Sequence, residues 1–290
     1  MEVLKRIVAA VDNSKIADEV LKRALLLAEE DDCVVTVVHT IDVPWFDAPK
    51  FFGGDEFKEI DEIQIKKKIE EKVEKLTKGT NVKYSVFVSS GDASGKIIHI
   101  AQQEDAQIII LGAHGKDDIT TKKFGTTAQK VTQDSHIPVL VVKNRAEVDY
   151  KNILVPTDLS EFSQKSIQFT KNVFKNNDIK LVHIYQQPVK IDEEFYNLSY
   201  EEKELLNKRI LFFAKQDLEK FEKSVDIQKG ELIESSTTVE DDLTNVIKNN
   251  NNDLVIMGSH GTKNIHSFLF GSTASFLMKE SPSDILVYVP

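Results

Sequence analysis

The sequence predicts an α/β protein built as two tandem open parallel five-stranded sheets with helices on both faces, and three observations carry that prediction. Apolar runs alternate with amphipathic stretches along the whole chain, the pattern of parallel strands joined by right-handed helical crossovers. A glycine–hydroxyl signature occurs twice: Gly112-Ala-His-Gly115, nine residues, then Gly125-Thr126-Thr127, and again Gly258-Ser-His-Gly261, nine residues, then Gly271-Ser272-Thr273. Every matched pair is offset by 146 positions, as are Asp12/Asp158 and Ser14/Ser160. A repeat of that length is a duplicated domain, which divides the 290 residues into 1–146 and 147–290.

The first strand is Ile7-Val-Ala-Ala-Val11, a continuous apolar run suited to a strand covered on both faces. Asp12-Asn-Ser14 turns the chain, and Ser14 is placed to cap a helix whose apolar residues Ile16, Ala17, Val20, Leu21, Ala24, Leu25 and Ala28 follow helical spacing. Val34 to Ile41 forms the second strand. A charged amphipathic helix follows from about Glu56 to Lys78, then a strand from Val82 to Val88 and a helix from Ala93 to Glu104. Ile108 to Leu111, Thr126 to Gln133 and Val139 to Val142 complete the half as strand, helix and strand. The second half repeats the order. Its strands are Ile153–Pro156, Lys180–Tyr185, Asp226–Ile233, Leu254–Met257 and Ile285–Val289. Its helices lie near Ser163–Lys175, Tyr200–Lys223, Val239–Asn249 and Thr273–Lys279.

Composition narrows the function classes. A net charge of −10 repels phosphate backbones, so neither nucleic acid nor an anionic membrane surface is an expected partner. No stretch approaches the roughly 20 apolar residues of a membrane span. Cys33 is the single cysteine, which removes intrachain disulfides and multi-cysteine metal sites and fits a reducing cytoplasm. The seven histidines form no metal-ligand spacing, and no Gly-x-Ser-x-Gly elbow occurs. No catalytic residue is assigned.

In open parallel sheets, ligands bind beyond the carboxyl ends of the strands. Asp12, Asp158 and both glycine loops follow strand ends and share that edge. A glycine after the fourth strand admits close backbone approach. The later Gly-(Thr/Ser)-Thr opens a helix whose first N–H groups and hydroxyls suit a phosphate. No lysine follows Gly125 or Gly271, so this is not a P-loop, and it is not the dinucleotide fingerprint. Turn glycines and an ordinary helix start would account for the same residues without a ligand.

The pattern Gly-x-x-Gly-x9-Gly-(Ser/Thr), with a first strand ending in (Val/Pro)-x-Asp-x-Ser, resembles the universal stress protein family over nearly the whole chain, as a tandem of two domains with an adenine-nucleotide-binding, Rossmann-like fold. The resemblance implies ATP as ligand, with Mg²⁺ only as the nucleotide's companion. Gly112, Gly115, Gly125, Thr126 and Thr127 match its phosphate and ribose loop in the first half; Gly258, Gly261, Gly271, Ser272 and Thr273 match it in the second. Val11 and Asp12, and Pro156, Thr157 and Asp158, match the residues lining the base and ribose pocket. Thr40 and Ile184 match the adenine wall. It further implies that the last strands of the halves meet as a pseudo-dimer within one chain, with homodimerisation and an unidentified protein partner left open. Output through conformation, a ligand-independent interaction module, and slow ATP hydrolysis or self-phosphorylation are the functions that fit. The second half departs from the pattern: where the first has Val88-Ser-Ser-Gly91, it has Glu234-Ser-Ser-Thr237 and no glycine.

Overall fold

The apolar runs at 7–11, 108–111, 139–142 and 254–257 become strands buried on both faces, those at 83–90 and 231–234 become partly exposed strands, and the amphipathic stretches become helices that pack on them. The computed structural model describes residues 4–31, 33–41, 54–114, 124–186, 199–228, 230–259 and 271–289. In chain order the first half holds β1 (Arg6–Val11), α1 (Ile16–Asp31), β2 (Val34–Ile41), α2 (Gly54–Leu76), β3 (Lys83–Ser90), α3 (Ala93–Gln103), β4 (Ile108–Gly112), α4 (Thr126–Asp134) and β5 (Val139–Val142). The second holds β6 (Asn152–Pro156), α5 (Glu161–Val173), β7 (Asp178–Tyr185), α6 (Tyr200–Val225), β8 (Glu231–Glu234), α7 (Val239–Asn249), β9 (Leu254–Gly258), α8 (Ser272–Glu280) and β10 (Asp284–Tyr288).

The chain forms two compact units, one running to Asp149 and including Asp284–Val289, the other Tyr150–Ser283. In the first, the strand order is β3-β2-β1-β4-β5-β10. β1 is central: Ile7 lies opposite Val35 of β2 and Ile108 of β4. All three side chains are buried, each contributing about 1.5–3 kcal/mol by leaving water. The predicted face of α1 is the buried one, with Ala17, Val20, Leu21, Ala24, Leu25 and Ala28 all covered.

β10 joins this unit antiparallel to β5, with Leu286 opposite Leu140, Ile285 opposite Val141 and Val287 opposite Val139. Leu140 and Leu286 are themselves equivalent positions (140 + 146 = 286), so the pairing is symmetric in the two repeats. It covers an edge that would otherwise expose unpaired backbone groups. Asp284, fully buried, accepts from the backbone N–H groups of Lys143 (2.8 Å) and Asn144 (3.0 Å) and so holds the chain leaving β5.

In the second unit the order is β9-β6-β7-β8, all parallel, with Ile153 between Ile179 and Leu254. The third strand of this half is shorter than the expected Asp226–Ile233. Asp226 takes a left-handed φ of 51° and ends α6, so the strand begins only at Glu231. A left-handed residue closes a helix and cannot continue an extended chain.

Candidate functional site

Strand order reverses on either side of β1, where β2 departs to one side and β4 to the other. At the carboxyl ends of these strands the first unit has a cavity of about 420 Å³. That size is in the range of small-molecule sites. Of the first-half residues expected there, the cavity gathers Val11 and Asp12 from the end of β1, Thr40 from β2, Gly112 from β4, and Gly125, Thr126 and Thr127 at the start of α4. Gly115 lies outside the described residues, as do Lys116, Lys122 and Lys123.

The cavity lining mixes apolar and polar groups. Ile16 of α1, Ile41 of β2, Ile65 of α2 and Ile97 of α3 supply the former. α4, which also borders the cavity, begins at Gly125 with no side chain capping it. The first backbone bond onto Gly125 comes from Gln129, so the N–H groups of Thr126, Thr127 and Ala128 have no acceptor within the helix. Those donors and the two hydroxyls, together with the helix dipole, suit an anion.

One of the glycines is explained by packing. A Cβ at Gly112 would stand 2.4 Å from Ile16 Cγ2, so glycine lets α1 close onto β4. Gly125 has an ordinary φ of −64°, and its N–H donates to the Ala113 carbonyl at 2.8 Å, which ties the start of α4 to the end of β4.

Asp12 is exposed at the cavity rim, with Oδ1 accepting from the Ser14 N–H at 2.9 Å and from the Ser14 hydroxyl. Ser14 therefore spends its hydroxyl on Asp12, whereas Ser160 does cap its helix, accepting from the Ser163 N–H at 3.1 Å. His39, buried in the cavity wall, was not among the expected ligand positions. Its Nδ1–H donates to the Val11 carbonyl at 2.8 Å and locks the ends of β1 and β2 together. A carbonyl can only accept, which fixes the ring tautomer. His183 makes the same 2.8 Å bond to Thr157 in the second unit. The shared feature was visible in the sequence as a histidine near the end of each second strand.

The second unit brings its expected residues to the corresponding edge. Pro156, Thr157 and Asp158 lie at and just beyond the end of β6, Ile184 near that of β7, Gly258 ends β9, and Gly271, Ser272 and Thr273 open α8. Gly261 and His260 lie outside the described residues. Asp158 Oδ1 accepts from the Ser160 N–H at 3.1 Å and the Ser163 hydroxyl at 2.6 Å. One neighbour was not foreseen: Glu240, in the first turn of α7, accepts from the Thr273 hydroxyl at 3.0 Å and the Ser272 hydroxyl at 3.4 Å. The third-strand turn also differs. Gly91 has a φ of 124°, reserved for glycine, while in the second unit the buried Asp242 accepts from Ser235 Oγ and Ser236 Oγ, both at 2.8 Å.

Comparison with known proteins gives a consistent assignment for both halves. The family described as the universal stress protein family matches residues 4–143 and again 149–289. A universal stress protein of Methanocaldococcus jannaschii is 29% identical over 140 residues, 48% of this chain and 82% of its own. One from Bacillus subtilis is 24% identical over 148 residues, 49% of this chain and all of its own. Among solved structures, a universal stress protein from Archaeoglobus fulgidus superposes with a TM-score of 0.67 over 97% of both chains at 18% identity, a likeness of fold.

Proposed function

The chain belongs to the universal stress protein family, in two tandem copies, and on that premise we propose that it is a stress-response protein that binds ATP in the first unit and acts through the conformation or partner binding that ATP sets. One observation carries this reading: the 420 Å³ cavity collects seven of the residues expected from sequence at one strand edge. The apolar lining supplied by Ile16, Ile41, Ile65 and Ile97 suits a purine base. Asp12 at the rim suits ribose hydroxyls, and the start of α4 suits phosphate, with Mg²⁺ entering only on the nucleotide.

Calorimetric titration of the nucleotide-free protein with ATP and Mg²⁺ tests it. Micromolar binding is expected, weakened at least about tenfold in a Thr126→Val/Thr127→Val double variant, because two charge-assisted hydrogen bonds are lost. Absence of binding at millimolar ATP overturns the proposal.

A further inference from the structure

The two glycine–hydroxyl loops share a sequence pattern but differ in what faces their hydroxyls. In the first unit the hydroxyls of Thr126 and Thr127 have no hydrogen-bond partner among the described residues. In the second, the equivalent Ser272 and Thr273 both donate to one oxygen of Glu240, at 3.4 and 3.0 Å. The helix they open, α8, has no side chain capping it at Gly271. A carboxylate there is stabilised by the helix dipole and by charge-assisted bonds, the same physics that favours a phosphate.

The repeat register shows what stands in its place in the first unit. Position 240 corresponds to position 94 (94 + 146 = 240), occupied by Ser94 in the first repeat. Ser94 is neutral, and its hydroxyl turns back to Asp92 Oδ1 at 3.1 Å, the side chain that caps its own helix. In the second repeat Thr238 provides that cap, accepting from the Asp241 N–H at 3.1 Å, and Glu240 is left to reach α8. Neighbouring positions change in the same sense. Asn13 and Ile16, which line the first cavity, correspond to the larger Leu159 and Phe162 (13 + 146 and 16 + 146).

We propose that Glu240 is an internal anion occupying the phosphate position of the second loop, so that this unit is closed to nucleotide and the chain carries one ATP. The inference rests on the ATP reading of the first unit. An incoming phosphate would compete with Glu240 for the same hydroxyls and meet its negative charge at hydrogen-bonding range, a repulsion large enough to cancel binding.

The test is calorimetry on the full chain and on Glu240→Ser, which restores the first repeat's residue. Wild type should bind near one ATP per chain, and E240S near two, the added site at least about tenfold tighter than any second site in wild type. Combining E240S with Thr126→Val and Thr127→Val should retain the new site and weaken the original, placing the gain in the second unit. Two sites in wild type, or one in E240S, overturns the inference while leaving the ATP reading intact. If neither protein binds ATP, the ATP reading fails by itself. Inorganic pyrophosphate then tests the carboxylate alone: tighter binding by E240S than by wild type supports it, and equal or absent binding overturns it.

Discussion

In the first unit the chain leaves β3 through Gly91, whose φ of 124° only glycine adopts without strain; in the second it leaves β8 through Ser235, Ser236 and Thr237, gathered onto the buried carboxylate of Asp242. The two paths lead to equivalent helices, α3 and α7, beside the candidate ligand edge. One is held by backbone freedom, the other by a charged anchor that takes at least four hydrogen bonds. The residue equivalent to Asp242 is Lys96 (96 + 146 = 242), which is exposed. Duplicated backbones can thus keep a shape while exchanging the interaction that enforces it, and the exchange gives the second copy's turn a buried carboxylate.

The largest effect expected from that difference is at Asp242. Asp242→Ala strands the buried Ser235 hydroxyl, returns the Ser236 and Thr237 donors to water, and should lower unfolding free energy by about 2–3 kcal/mol. Lys96→Ala should stay within about 0.5 kcal/mol. Denaturant midpoints of the two variants measure the contrast, and similar losses in both would refute it. The anchor also predicts a pH response. Burial pushes the Asp242 carboxyl up, but the hydrogen bonds from Ser236 and Ser235 outweigh it and hold the group below the ordinary value of 3.8. Its stabilisation is then complete above that value and disappears as pH falls through the lower folded-state pKa. Wild type should lose stability more steeply than Asp242→Asn between about pH 4 and pH 2. Parallel acid limbs would mean the stabilisation does not come from this carboxylate.

The glycine turn is next in size. Gly91→Val forces a branched side chain into a left-handed backbone and should cost about 1–2 kcal/mol. Thr237→Gly, at a position without positive φ, should cost about 1 kcal/mol, through unfolded-state entropy and the lost Thr237 hydroxyl bond to Asp242. Equal losses would show that the two turns share one determinant after all.

These contrasts mark how far the sequence could be read. The succession of strands and helices, and the strand edge shared by the expected residues, followed from apolar runs separated by helical periods, because burial of the central strands leaves a strong pattern. The missing glycine in the second turn was legible too. Asp242, its replacement, was not, since an acidic residue in a helix's first turn usually faces water and supports the dipole. Glu240 escaped for the same reason: its meaning depends on α7 and α8 packing side by side. The register did contain a signal, a carboxylate where the first repeat has a hydroxyl, but only the fold shows which hydroxyls it meets. The end of α6 failed differently. Asp226 looked like the start of a strand because the following residues are partly apolar, while its left-handed φ makes it a helix stop.

The smallest expected effect lies just past β6, where Leu159 has a φ of 62° while Asn13, its counterpart, is not left-handed. Thr157 sets the bend: its Oγ1 accepts from the Leu159 N–H at 3.0 Å, drawing the backbone into a tight turn that leaves a γ-branched side chain in the strained region. Asparagine tolerates that region far better than leucine. Leu159→Asn should therefore raise stability by about 0.5–1 kcal/mol, read as a higher denaturant midpoint at unchanged slope. The reverse exchange sharpens the comparison. Asn13→Leu needs no left-handed backbone and should leave stability within about 0.5 kcal/mol, but Asn13 lines the first cavity, and the bulkier side chain should weaken ATP there. A destabilised L159N would mean that the apolar contacts of Leu159 outweigh its strain, and that the second unit was reshaped for packing and not merely released from binding.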